Sequence, residues 1–566
     1  MYAYGVLTLP LVEHCARHVK EADQQCYADD FAASGSLRTC AKYLKELRKI
    51  GPTVFGYFPE VEKTLVNVHE RCRALAVEIF EDEGLPCTVC GGSPYLGGYV
   101  GNHDDARAYA AEKTAMWADF IRVLAKAANR FPQAAYCVLS RSTQAEWIHL
   151  QRTMPNIVDL FTDVEASIAD AFLPALFGAA EYDPADRDLM GFPIRYGGLA
   201  LPDPRKTASD HYRNSTTCVG YLTQCLRSSE ADFDIVKHET QASAARDQWR
   251  ADRSAANLSQ AYTKLWHMGM RSKTRSLAIS RGMETGSWIH CLPFTNLGNV
   301  LTRQEWTVGL ALRYQYGLKD LPRTCHGCGS SNSINHAFSC HVGGLLSHAH
   351  DDIAMELILL MRRTAMKSHV RPEPAIHTRT GPHDFHSDDS KRPIATALRS
   401  EADGAHDDEW SENKKRGDIA CRHLFRQGTT AIVDVQVKDL DSKTNRKKNP
   451  EKVLRAAELM KRRKYAEECR EECKDFAPFI VSRDGAFGRE AKNIMTRLAK
   501  TLHCKWNIPF SRTSFFVKSR MSLAILRSTT HVLYGERKIL EVRREQPAFF
   551  HDNSALLGYW STSRWS

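Results

Sequence analysis

The octapeptide Thr430-Ala431-Ile432-Val433-Asp434-Val435-Gln436-Val437 places one acid among β-branched residues. No breaker interrupts it, and so apolar a run predicts a central strand buried on both faces. Side chains alternate along a strand, so Ile432, Asp434 and Gln436 share one face. A carboxylate in a core needs a cation or hydrogen bonds, because an unpaired buried charge is costly.

Working outward, Gly417-Asp418-Ile419-Ala420-Cys421 reads as a second strand, with Asp418 sixteen residues before Asp434. His369–Glu373 is short and extended. Upstream, Ile353, Leu357, Leu360 and Met361 make one helix face. Downstream come a helix over Glu451–Cys469, an apolar strand Phe479-Ile480-Val481, and a turn at Gly485 and Gly488. A last helix carries Ala491, Ile494, Met495, Leu498 and Leu502 in one stripe. The expected segment is αβββαβα, interrupted at 377–416 by a His-, Asp-, Ser- and Arg-rich surface loop.

That element order, with acids on two neighbouring strands, resembles the PD-(D/E)xK restriction-like nuclease core. The resemblance implies that Asp418 and Asp434 hold Mg²⁺, with Glu373 as a third ligand, and that a lysine stabilises the nucleophile or transition state. Gly417 stands where the family has proline, and Gln436 where its lysine is usual. A migrated lysine is then expected on the following helix. Val453, Ala457 and Met460 define its buried face, and Lys464 falls on that face at i+4 from Met460. An inward lysine is either snorkelling or functional. Lys461 and Lys438 are further candidates.

From Lys443 to Lys464 there are ten basic residues against two acidic ones. Such a run is a solvated helix face, a nuclear-import signal, or a patch tracking a phosphate backbone. Beside a phosphodiester site the last reading is preferred, with Lys443, Arg446, Lys447, Lys448, Lys461, Arg462 and Arg463 as nucleic-acid contacts.

Upstream, Cys325-x2-Cys328-x7-His336-x3-Cys340 supplies three thiolates and an imidazole, a closed tetrahedral set for structural zinc; buried free thiols are the alternative. Gly327 and Gly329 allow a tight turn around the first pair, and His326 and His341 are substitute ligands. Cys87-x2-Cys90 has the same pair spacing but no Cys or His in the next ten residues, so it reads as a chance or structural pair.

Near the start stands Tyr27-Ala28-Asp29-Asp30, two acids after an aromatic and a small residue. A tight β-hairpin would bring one or both carboxylates to a divalent metal; the plainer reading is a solvated turn. A helix with Leu37, Cys40, Ala41, Leu44 and Leu47 on one face follows, then Gly56-Tyr57-Phe58-Pro59 with Lys63-Thr64, then Tyr95-Leu96-Gly97-Gly98. This succession resembles the later palm motifs of non-LTR retrotransposon reverse transcriptases. Asp29 and Asp30 are then remnants of the polymerase metal site. The residues before Asp29 are too few for the earlier palm aspartate and fingers, so polymerisation by this chain alone is not expected.

The chain has 566 residues, 43% hydrophobic and 25% charged, with a net charge of +10. That balance is ordinary for globular domains, permits nucleic acid as a partner, and excludes disordered and collagen-like classes. Seventeen cysteines without framework spacing suggest a reducing compartment. The first residues lack the basic n-region of a signal peptide, and no apolar run reaches the roughly 18 residues of a membrane span.

The expected organisation is multidomain α+β: a partial reverse-transcriptase palm (1–101), a helical thumb and connector (102–320), a zinc knuckle (321–345), the nuclease domain (346–530) and a tail (531–566). Within the thumb, Trp117, Phe120, Ile121 and Leu124 form one stripe and Pro132 breaks the helix. Palm, thumb, knuckle, His350-Asp351-x-Ile353 and nuclease, in that order, resemble the C-terminal part of a site-specific non-LTR retrotransposon polyprotein. Ala349 stands where that family usually has arginine. The resemblance implies a nuclear protein that nicks target DNA so that the freed 3′-hydroxyl primes reverse transcription of element RNA, with knuckle and basic helix as grips. The competing readings are a non-enzymatic nucleic-acid-binding relic and an interaction protein built on the helical middle.

Overall fold

The computed structural model describes residues 2–27, 30–60, 63–228, 233–267, 285–374, 376 and 416–535. It is mixed α+β and mainly helical, and no helix among the described residues is long and apolar enough to cross a membrane. The chain separates into two compact units, neither of them continuous in sequence: Met1–Asp119 with Gln144–Glu165 and Pro204–Arg246, and Phe120–Thr143 with Ala166–Asp203 and Asp247–Ser566.

In the first unit α1 (Tyr2–His18) leads into the hairpin β1 (Asp23–Tyr27) and β2 (Asp30–Ser34), which pair antiparallel from Tyr27 opposite Asp30. Two residues connect these strands. Asp30 is exposed, and Asp29 lies outside the described residues. Ser36 caps α2 (Leu37–Ile50) by accepting from Thr39 N, as short hydroxylic residues do at helix starts. Ala41, Tyr43, Leu44 and Leu47 form the buried face of α2. Leu11, Cys15 and Val19 of the α1 end pack against Tyr43 and Leu47. Further on, β3 (Leu65–Asn67) pairs parallel with β4 (Thr88–Cys90), and β5 (Gly92–Tyr95) pairs antiparallel with β6 (Gly98–Gly101). Leu96 and Gly97 both have positive φ, at 47° and 76°, the conformation a two-residue hairpin turn demands.

Helices dominate the residues after Gly101. Of the expected stripe, Trp117, Ile121 and Leu124 are buried, but Phe120 is 43% exposed. These positions, spaced i, i+3, i+4 and i+7, share one face about 100° wide, and Phe120 at the edge of that face turns outward. Pro132 opens the next helix at its first position, where its missing N–H costs nothing.

In the second unit α3 (Leu345–Thr364) precedes β7 (Val370–Pro372), β8 (Ile419–Arg422) and β9 (Thr430–Lys438). Then come α4 (Pro450–Glu471), β10 (Asp475–Ser482), α5 (Arg489–Trp506) and α6 (Phe510–Tyr534). The sheet order is β10-β9-β8-β7, parallel only between β9 and β10. The αβββαβα order expected from sequence is therefore present, and α6 carries the helical part on to Tyr534, past the expected boundary at 530. Most of the expected loop, 377–415, and the end from 536 lie outside the described residues.

β9 is central and covered on both faces. Val433 and Val435 join Ile353, Leu357, Phe479, Ile494, Leu498 and Met521 in one core, whereas Ile432 packs with Ala420, Tyr465 and Phe476 on the other side. The expected stripe on α5 is buried in full. Pro478 is tolerated in β10 because that strand lies at the sheet edge. Asn449 caps α4 by accepting from Glu451 N and Lys452 N, with Pro450 as the first helical residue. Arg520 of α6 grips Glu356 of α3 with two contacts, 2.7 and 2.8 Å, fixing the helix pair behind the sheet.

Candidate acidic site and metal centre

Asp418 stands just before β8, its amide donating to Val433 O at 3.1 Å. Its carboxylate turns toward β9, where Oδ2 accepts from Val435 N at 2.5 Å. The same oxygen lies 3.2 Å from His350 Nε2. His350 sits on α3, and its Nδ1 is 3.1 Å from Asp351 Oδ1. Its Nε2 also lies 3.1 Å from Val435 O. A ring with carboxylates at both nitrogens and a carbonyl at one must donate from both, so it is an imidazolium. Burial alone would lower His350, but hydrogen bonds to Asp351 and Asp418 outweigh it and bring the ring up to about 10.

Asp434 is 4% exposed. Burial, then the nearby Asp418 charge, raise its carboxyl above the usual range, and Lys461 opposes them. Lys461 Nζ forms an ion pair with Asp434 Oδ2 at 2.7 Å. Glu373 directly follows β7 with φ at +46°, and its amide donates to Asp418 O at 2.8 Å. Burial pushes its carboxyl up, and Asp351 and Asp418 add to this. The Oε1 atom of Gln436 is buried with no hydrogen-bond partner among the described residues. Glu373 thus feels Asp351 and Asp418, and Asp434 feels Asp418, so the acids gather from α3, β9 and the ends of β7 and β8. Their oxygens do not close to the mutual 4.8 Å that marks two other groups among the described residues.

The lysine is placed differently from the expectation. Met460 is 51% exposed, so the inward stripe of α4 is Leu454, Glu458, Lys461, Tyr465 and Cys469 rather than one passing through Met460 and Lys464. Lys464 is exposed and lies over the Tyr465 ring at 4.7 Å. Glu458 misleads the pattern because a polar residue occupies a core position. It is fully buried, accepting from Glu490 N at 2.9 Å near the start of α5. Burial lowers Lys438, and Lys461 lowers it further.

Of the expected nucleic-acid contacts, Lys443, Arg446, Lys447 and Lys448 are exposed in the loop before α4, and Arg463 is exposed on it. Two are committed elsewhere: Lys461 to Asp434, and Arg462 to Glu490 at 2.9 Å.

The knuckle residues converge. Cys325, Cys328, His336 and Cys340 hold their ligand atoms within 4.8 Å of one another. Cys325 Sγ is 3.8 Å from Cys340 Sγ, and Cys328 Sγ is 3.3 Å from His336 Nε2. Gly329 takes φ +73°, and Ser333 caps the one-turn helix that carries His336. Burial would raise the Cys325 thiol, but the Cys328 and Gly327 amides and the neighbouring thiols outweigh it and bring it down to about 7. Three sulfurs and one imidazole nitrogen at this separation can hold a metal ion. His326 and His341 are not in the group, and Cys87 and Cys90 form none among the described residues.

No protein-family model and no curated protein matches the chain. His350 contacts the site without being expected there from sequence pattern, although the His350-Asp351 pair is legible. A second group, unexpected from sequence, is His14, His18 and Glu46, of which only the helical i,i+4 histidines are legible.

Proposed function

We propose that the 346–530 part of the second unit is a Mg²⁺-dependent DNA endonuclease of the PD-(D/E)xK type, in a chain derived from a non-LTR retrotransposon reverse transcriptase. The observation that carries the reading is Lys461 on Asp434, one strand from Asp418, in a sheet of order β10-β9-β8-β7. Asp418 and Asp434 would hold the ion with Glu373, and bound Mg²⁺ supplies an activated water and charge neutralisation at the scissile phosphate. Lys461 positions the Asp434 carboxylate and offers positive charge to a pentavalent phosphate. His350 holds Asp418 in place. The Lys443–Lys448 loop grips the DNA backbone, with element RNA as the second partner. The Cys3His group takes structural zinc, since four protein ligands leave no open position for hydrolysis. Nuclear localisation follows from a DNA target.

A non-enzymatic nucleic-acid-binding relic is the second reading, favoured by acids that are already paired with cations of their own chain. One experiment separates the two: nicking of supercoiled DNA with Mg²⁺ by wild type and Asp434→Ala, with DNA binding measured in parallel. Nicking lost in the variant while binding persists supports the nuclease. Binding without nicking by wild type supports the relic.

A further inference from the structure

We propose that His14, His18 and Glu46 form a second metal site, taking a divalent transition ion of the zinc class and tying α1 to α2. The inference is independent of the nuclease reading. His14 and His18 stand at i and i+4 in the last turn of α1, so both rings leave the same face of the helix. The rings stack with centroids 3.9 Å apart and 19° between planes. Glu46 comes from α2, thirty-two residues after His14, and its Oε1 lies 2.8 Å from His14 Nε2. The three ligand atoms fall within 4.8 Å of one another.

A second observation concerns protonation. His18 Nδ1 is 2.8 Å from the carbonyl oxygen of His14. A carbonyl only accepts, so Nδ1 carries the hydrogen and Nε2 is left with the lone pair. Fixing one ring nitrogen on a carbonyl while the other faces a metal is how histidine ligands are commonly held. The C-terminal end of a helix also favours a cation.

Binding replaces the proton on His14 Nε2. The Nε2 to Oε1 separation must then open from 2.8 Å to about 3.3 Å, the ligand spacing of a tetrahedral site with bonds near 2.0 Å. Two imidazoles and a carboxylate suit zinc, cobalt or nickel better than magnesium or calcium, which prefer oxygen-only sets. His18 is exposed, so a fourth position is open to water.

The test is a Zn²⁺ titration of the metal-stripped full chain against a chromophoric chelator at pH 7.4. Wild type should show a tight equivalent and a weaker one. His18→Ala and Glu46→Gln should each lower the affinity of the weaker equivalent by about tenfold or more and leave the tight one unchanged. Cys325→Ser should do the reverse. His18 is exposed, so its replacement leaves the fold intact, and circular dichroism verifies this. A weaker equivalent with the same affinity in wild type, His18→Ala and Glu46→Gln overturns the site, as does its absence from wild type.

Discussion

Lys461 Nζ lies 2.7 Å from Asp434 Oδ2, joining the inward face of α4 to the central strand β9. The Lys461 side chain is 18% exposed and that of Asp434 5%, so the pair is largely withdrawn from water. Removing one partner of such a pair leaves the other as an uncompensated buried charge. Lys461→Met should therefore destabilise the Mg²⁺-free protein by about 3 kcal/mol or more, read from urea unfolding. Lys464→Met, on the exposed side, should stay within about 0.5 kcal/mol. If the nuclease reading holds, nicking falls only in the Lys461 variant.

His350 gives a pH dependence with a definite sign. Its folded value, about 10, stands above the ordinary 6.5. The folded state therefore binds the extra proton, and the stabilisation is complete below about pH 6.5 and lost as pH rises through about 10. The groups facing the ring are Asp351, Asp418, Glu373 and Asp434. His350→Asn should flatten the fall in urea midpoint between pH 7 and 10; an unchanged slope counts against the imidazolium.

At the knuckle, Cys325→Ser should remove one tightly bound zinc per chain and loosen the local fold, because structural metal binding is coupled to folding. Metal analysis with limited proteolysis reads both. Equal zinc in wild type and variant would sink the assignment.

Replacing Lys443, Arg446, Lys447 and Lys448 by glutamine should weaken DNA binding at low salt. The slope of log affinity against log salt should drop by about 0.9 for each lost phosphate contact. Filter binding over a salt series measures it, and an unchanged slope would place the DNA elsewhere.

Gly417 offers a prediction from packing alone. A Cβ there would meet Ile432 Cγ2 at 2.3 Å, and the Gly417 amide donates to Pro374 O at 3.1 Å. Proline at this position would clash with the first and lose the second. Gly417→Ala should cost about 1–3 kcal/mol through overpacking, and less than that in an Ile432→Ala background. Thermal unfolding of the two single variants and the double measures the coupling.

Local pattern made the elements from α3 to α5 legible. β9 was readable because its β-branched run has no breaker, and α5 because its apolar spacing is unbroken. The lysine was not readable. Glu458 fills a core position and Met460 an exposed one, so hydropathy rotates the apparent face of α4 toward Lys464. Glu46 was equally hidden, since its partners lie on another helix and no local spacing connects them. The hairpin start was legible in Tyr27-Ala28-Asp29-Asp30, though Asp29 lies outside the described residues.

The cations supplied by Lys461 and His350 have an evolutionary consequence. A carboxylate cluster that needed an ion for its neutrality would unfold when the ion was lost, and a lineage would be forced to keep the ion or discard the domain. Here Asp434 and Asp418 are balanced from within. If the nuclease reading holds, selection for a folded chain does not by itself preserve the chemistry, because neither acid needs a bound ion to offset its charge.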